Sequence, residues 1–314
     1  FQAEDGIRDS STSRGLGDVY KRQLLTLVAS LSWVFSQLYG HKPALYYGSL
    51  QFNRIRMIIA SILLIGMIWF SGNDWKIASD AWGWIIVSGI IGIGLGDYFL
   101  FIAMERLGPR RTGVLFAINA PVAAFLAWLL LSETLTFNII FAIIVGFLGI
   151  VLAVIYGGPR ANIHEWEVTK PPLWIGVGAG LLAALGQAAG VLFLRPVMEQ
   201  GADPLQASLI RVVAAGIFLW AILLFEEKKT LLWKIPPLTV VWHVIANGFF
   251  GLSFGLALFL KALETGQVAK VSMLVAISPV LMLPFIWFQT NKIPAVGAWL
   301  GAILVVLSSW IIIQ

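Results

Sequence analysis

LQFNRIRMIIASI (Leu50–Ile62) and LQASLIRVVAAGI (Leu205–Ile217) are one segment written twice, with leucine, glutamine, arginine, alanine and isoleucine coinciding at a single fixed offset. Further on, Gly89, Gly92 and Gly96 recur as Gly248, Gly251 and Gly255, and Pro121 recurs as Pro279. A repeat of about 155 residues is far too long for a solenoid unit and marks a duplicated half-protein. Apolar stretches fall at 24–40, 55–71, 82–104, 112–131 and 137–156, then at 173–194, 205–225, 240–260, 271–290 and 295–313. Each is close to the roughly 20 residues that carry a helix across about 30 Å of hydrocarbon. Backbone polar groups find no water there, so these stretches are helices. An odd number of spans per copy turns the second copy upside down. The expected fold is an all-α integral membrane protein with ten transmembrane helices in two inverted five-helix repeats, an architecture shared by many secondary transporters.

Composition agrees with a lipid solvent. Hydrophobic residues make up 59 % of the chain and charged residues 12 %, against about 25 % charged in soluble domains. Several of the 14 tryptophans, including Trp69, Trp75, Trp82, Trp84 and Trp174, sit near span ends, where amphipathic indoles favour the headgroup level. With no cysteine and three scattered histidines, no metal site is expected, nor any cofactor. The modest basic excess is spread among loops, so nucleic acid is not an expected partner.

Phe1–Gln23 stands apart: it mixes acids and bases, lacks an apolar core and resembles translated adaptor sequence, so it is expected to be a non-native or disordered tail. The expected domains are then a first repeat at 24–156, a linker at 157–172 rich in proline, glycine and charge, and a second repeat at 173–314.

Gly92-x-x-x-Gly96 and Gly251-x-x-x-Gly255 occupy matching places and allow close backbone approach, either as a static contact or as one that slides. Pro121 and Pro279 fall inside their spans and are expected to kink them, as packing bends or as walls of a cavity. Asn119 and Ser278 lie nearby to satisfy the freed backbone groups.

Asp97 is the sharpest single residue. A carboxylate deep in a span costs on the order of 2.5–3.5 kcal/mol on insertion scales, so it must face a partner or a water-filled cavity. It reads as a proton or solute site, as half of an ion pair with an arginine from another helix, or as an interfacial group. The second copy has Gly255 and Leu256 at that place, so the charge is not duplicated. Arg56 and Arg211, one per copy, either snorkel to the headgroups, contact an anion at a cavity mouth, or pair with Asp97. Arg54 has no second-half equivalent and reads as a snorkelling residue. Trp33, Gln37, Tyr98, Asn119, Gln187, Asn247 and Ser278 are the further candidates for a pocket that binds a small amphipathic solute; taken singly, each also reads as an interhelical bond.

The stretch GIGLGDYFLFIAMERLGPRRTGVLFAINAPVAAFLAWLLLSETL (Gly92–Leu135) resembles the EamA-type drug/metabolite transporters, as does the second copy, FFGLSFGLALFLKALETGQVAKVSMLVAISPVLMLPFIWFQTNKI (Phe249–Ile293). The carriers of the likeness are Gly96–Asp97, Gly108, Pro121 and the span-ending Glu133, with Asn291 standing where the second copy of the family's pattern has glutamate. The resemblance implies two five-span repeats and export of small metabolites such as amino acids, or multidrug efflux, by alternating access in a bacterial inner membrane. It implies a small-molecule substrate, a monomer or homodimer, and both termini in the cytoplasm. The basic residues argue against that orientation, since the side opposite the termini carries most of them, among them Arg106, Arg110, Arg111, Lys228 and Lys229. The first span holds no acidic residue, unlike that of the small four-span exporters of the same superfamily, so protons, if coupled, would use Asp97. A passive channel and a membrane-embedded lipid enzyme are the other classes; the chain shows neither a continuous polar face nor a carboxylate cluster. The absence of a GKS or GKT phosphate loop argues against ATP-driven transport.

Overall fold

A computed structural model describes residues 2–107, 112, 115–116, 118–156, 172–225, 236–264, 266–290 and 295–313. All regular structure among them is helical. In chain order the helices are α1 (Gln2–Tyr47), α2 (Ser49–Ser71), α3 (Ala81–Ser88), α4 (Gly96–Leu107), α5 (Asn119–Leu130), α6 (Phe137–Tyr156) and α7 (Leu173–Glu199). They continue with α8 (Pro204–Ile222), α9 (Leu238–Gly248), α10 (Leu256–Leu263), α11 (Val268–Val275), α12 (Ser278–Thr290) and α13 (Val296–Ile313). Among the described residues, five helices, Leu50–Ser71, Ala81–Met104, Leu173–Glu199, Pro204–Ile222 and Leu238–Leu263, are long and apolar enough to cross a membrane. Asn119–Leu130, Phe137–Leu152 and Val296–Ser308 are shorter apolar helices.

Two of the long spans change their winding partway. Gly89–Leu95 joins α3 to α4 as a π-helix, and Phe249–Gly255 joins α9 to α10 in the same way. The first segment holds Gly89 and Gly92, with Gly96 just after it, and the second holds Gly251 and Gly255, with Gly248 just before it. A π turn inserts an extra residue into the helical ladder and tends to mark functional places. Here the wide turns coincide with close helix contacts, at Gly89 and Gly92 in the first and at Gly251 and Gly255 in the second.

The two repeats interlock through them. α7 of the second repeat lies along α3, the first π segment and α4 of the first; α1 of the first repeat lies along α9, the second π segment and α10 of the second. α2 pairs with its copy α8, and α6 with its copy α13. Each of these four contacts joins one repeat to the other. The largest buried apolar cluster, with Met57, Leu64, Ile85, Leu194, Met198, Leu219 and Leu260 among its members, fills the space between them. A separate cluster around Ala142, Ile150, Met273, Ala298 and Val305 seats the α6–α13 pair.

α1 runs from Gln2 through the first apolar stretch to Tyr47, with Pro43 in its last turns. The prolines do not kink continuous helices. Pro121 sits in the first turn of α5, and Pro279 is the second residue of α12, just past a turn at Ala276–Ile277. The missing N–H is one that a first turn leaves unpaired in any case, so the sequence breaks the helix ahead of each proline. The linker 157–171 and Gly108, Arg110, Arg111, Lys228, Lys229 and Asn291 lie outside the described residues. Trp69 and Trp174 are largely exposed, as an interfacial belt requires.

Candidate functional site

The first π segment and its neighbours hold the buried charges. Asp97 is the second residue of α4, two beyond the end of the segment, and its Oδ2 accepts from Arg56 Nη2 at 2.5 Å, joining α4 to α2. The two side chains are 16 % and 13 % exposed. Arg56 also donates from Nη2 to Asn53 Oδ1 at 2.6 Å, and its guanidinium lies 5.9 Å from the centre of the Phe52 ring. Of the readings open for Asp97 and Arg56, the structure takes the interhelical ion pair.

Arg211 reaches the same place from α8. It is 2 % exposed, which removes it from any cavity mouth and from snorkelling. Its backbone lies so close to Gly89 that a Cβ there would be 2.5 Å from the Arg211 carbonyl oxygen. A Cβ on Gly92 would lie 3.1 Å from Arg211 Nη2, 3.1 Å from the Gly190 Cα and 3.6 Å from Gln187 Oε1. Arg211, Gln187 and α7 therefore converge over one bare patch of the π segment. Gly190 continues that contact and accepts from Ser88 Oγ at 2.5 Å. Gly96 carries less of it, since a Cβ there would meet nothing nearer than 3.6 Å. The spacing Gly186-x-x-x-Gly190 in α7 was legible as a second small-residue motif facing the first.

The matching place on the second π segment is neutral. Ser32 Oγ donates to the Phe250 carbonyl at 2.6 Å, Trp33 Nε1 to the Gly251 carbonyl at 2.9 Å, and Asn247 Nδ2 to the Ser36 carbonyl at 2.6 Å. Trp33 and Asn247 thus tie α1 to α9 and the π turn. Asn119 Nδ2 donates to the Phe116 carbonyl at 2.6 Å, and Ser278 Oγ to the Val275 carbonyl at 2.9 Å, so both close the helix breaks ahead of the prolines. Tyr98 is half-buried against the main apolar cluster, and Gln37 is exposed. Of the expected pocket residues, Asp97, Arg56, Arg211 and Gln187 come together around the first π segment, and Trp33 and Asn247 around the second. Arg54 corrects the snorkelling expectation: it is buried, and its Nε donates to the Leu219 carbonyl at 2.9 Å.

A second set of charges fastens the end of the bundle where α7 turns into α8. Ser132 takes φ 53° after α5, and Glu133 then swings its carboxylate over the start of α11. It accepts from Val268 N at 2.8 Å and Ala269 N at 3.4 Å. An anion there satisfies orphan amides and complements the helix dipole. Arg195 of α7 donates from Nη1 to the Leu263 carbonyl at 2.7 Å, capping α10, and pairs with Glu199 at 2.6 Å. At the same end Asp203 caps α8, accepting from Leu205 N at 2.9 Å, and Gln206 holds the chain at Asp74 and Lys76. Arg195 was missed; an arginine four residues before Glu199 at a span end was its only signal. An apolar groove of about 500 Å³ between α3 and α8, with Trp75, Ile86 and Phe218 in its wall, lies apart from these charges.

Buried charge between interlocked helical repeats, in a bundle whose surface is apolar, defines a multi-pass integral membrane protein of the solute-carrier type. The family model of the EamA-like transporter family matches residues 21–155 and again 174–314, and the chain belongs to that family. It is similar to an uncharacterised transporter of Synechocystis (25 % identity over 83 % of this chain and 80 % of the relative). An uncharacterised transporter of Bacillus subtilis is 26 % identical over 80 % of this chain and 79 % of its own. The S-adenosylmethionine/S-adenosylhomocysteine transporter of Chlamydia muridarum is 22 % identical over 62 % of this chain and 64 % of its own. A solved crystal structure superposes with a TM-score of 0.76 at 15 % identity, covering 92 % of this chain and 97 % of the other, which fixes the likeness of fold.

Proposed function

We propose that this protein is a secondary active transporter that exports small organic metabolites, amino acids or related solutes, across a bacterial inner membrane by alternating access. In this reading ten spans form two inverted five-helix repeats, and solute sits beside the first π segment, near mid-membrane. The observation that carries it is the reciprocal interlock: each repeat lays its first helix on the other's third, at a glycine-lined π turn, and only one of the two contacts is charged. Duplicated contacts give two arms that rock against each other. The unduplicated Asp97–Arg56 pair gives them something to bind or to titrate. The Chlamydia relative, named for a solute built on an amino acid, supports a metabolite over a lipid.

The Glu133 contact joins the chain just past α5 to α11 across the repeats, and the Arg195 contact joins α7 to α10 within the second repeat, so in this reading this end of the bundle is shut. Opening it releases Glu133 from the α11 amides. Purified protein in proteoliposomes tests the reading: counterflow of a labelled amino acid that depends on internal unlabelled solute is expected. Flux that grows linearly with concentration and shows no counterflow would make the protein a channel.

A further inference from the structure

The buried charges over the first π segment do not balance. Two guanidinium groups, Arg56 and Arg211, face one carboxylate, Asp97, and Asp97 spends its hydrogen bond on Arg56. Among the described residues Arg211 Nε and Nη1 are buried and meet no acceptor. Gln187 Oε1, beside the same bare patch at Gly92, is a buried acceptor that meets no donor. Leaving such groups unmade is costly, and most of all for a charged donor. The chemistry that satisfies these atoms is an acceptor, best an anion, for Arg211 and a hydrogen-bond donor beside it for Gln187.

We infer that Arg211 is the anion ligand of the solute site, and that the site takes solutes carrying a carboxylate next to a hydroxyl or ammonium group. The inference rests on the transporter reading and adds the chemistry of its cargo. A planar guanidinium grips a carboxylate through two parallel bonds. A carboxylate on Arg211 offsets the unpaired guanidinium, and the neighbouring donor meets Gln187 Oε1; a hydroxy acid brings the cluster to charge balance, and an amino acid keeps one positive charge, on its ammonium beside Gln187 Oε1. Gly92 leaves the space: any side chain there would press on Arg211 Nη2. The same excess charge repels cationic drugs. The second π segment, with Trp33 of the first repeat and Asn247 of the second at the matching place, has no such charge and takes no anion.

The test is thermal stabilisation and binding on purified protein in nanodiscs with a matched panel. It holds L-methionine, L-phenylalanine, L-threonine and L-lactate, the amides of the same four, and tetraphenylphosphonium and ethidium as cations. The acids are expected to stabilise the protein, with the amides binding about tenfold to a hundredfold more weakly, the range for a lost charged hydrogen bond. The cations are expected not to bind. Arg211→Gln abolishes the preference for acid over amide, and Arg211→Lys keeps part of it. Amides binding as well as acids, cations binding in preference, or no acid binding at all overturns the inference, whether or not the variants fold. Acids that bind while no solute crosses in proteoliposomes would instead sink the transporter reading and leave the anion site standing.

Discussion

Replacing Gly190 by alanine tests the interlock directly. The added Cβ would lie 2.6 Å from the Gly92 Cα, 3.0 Å from the Gly92 nitrogen and 3.1 Å from the Ser88 carbonyl oxygen. Carbon atoms in contact prefer about 3.5–4.0 Å, so the deficit is about 1 Å. Every blocking atom is backbone, and no rotamer relieves it. α7 must back away from the π segment, stretching the Ser88–Gly190 hydrogen bond of 2.5 Å and loosening the floor beneath Arg211. Overpacking costs about 1–3 kcal/mol, reduced by the roughly 0.5–1 kcal/mol that alanine gains over glycine within a helix. A net loss of about 1–2 kcal/mol, roughly 5- to 30-fold in the folding equilibrium, is expected. Gly96→Ala is the control, because its nearest neighbour would be the Ile91 carbonyl oxygen at 3.6 Å, an ordinary contact. Thermal unfolding in nanodiscs, followed by the fluorescence of the 14 tryptophans, ranks the two variants. Gly190→Ala as stable as Gly96→Ala would refute the reasoning.

Asp97→Asn keeps the shape and an acceptor for Arg56 but leaves two buried cations without a countercharge; expression and folding should survive while pH-dependent uptake into proteoliposomes is lost. Full pH-dependent uptake by the variant would end the coupling role. Glu133→Gln still accepts from Val268 N yet removes the anion from the α11 terminus, worth about 0.3–1 kcal/mol and up to about 2 when partly buried. Since the chain has no cysteine, Gln267→Cys offers a clean label at that end, and its alkylation should quicken in the Glu133→Gln background; an unchanged rate argues against a latch. Asp203→Ala removes a side chain that caps α8 at 2.9 Å and 3.1 Å, and should lower stability by about 0.5–2 kcal/mol in the same thermal assay.

The duplication, the helical class and a charge inside the third apolar stretch were legible because each depends on a local property: periodicity, apolar length, or a charge where lipid forbids one. Partners were not legible. Arg54 and Arg56 lie two residues apart, yet one reaches a backbone carbonyl on α8 and the other the Asp97 carboxylate. Pro121 and Pro279 announced a disturbed helix, and the folded chain decided that the disturbance was a break sealed by Asn119 and Ser278. The π turns left no trace in the sequence beyond the glycines in and beside them.

The sequence by itself determined two things: that the backbone would be satisfied within helices, since lipid offers it nothing else, and that two similar halves would carry unequal charge. Only the tertiary structure decided which arginine is paired and which is not. That outcome rests on side chains of α2 and α4 meeting at 2.5 Å while Arg211 of α8 lies against Gly92. Distances across an interlock of two repeats are set by how closely backbones approach, and no spacing along the chain encodes them.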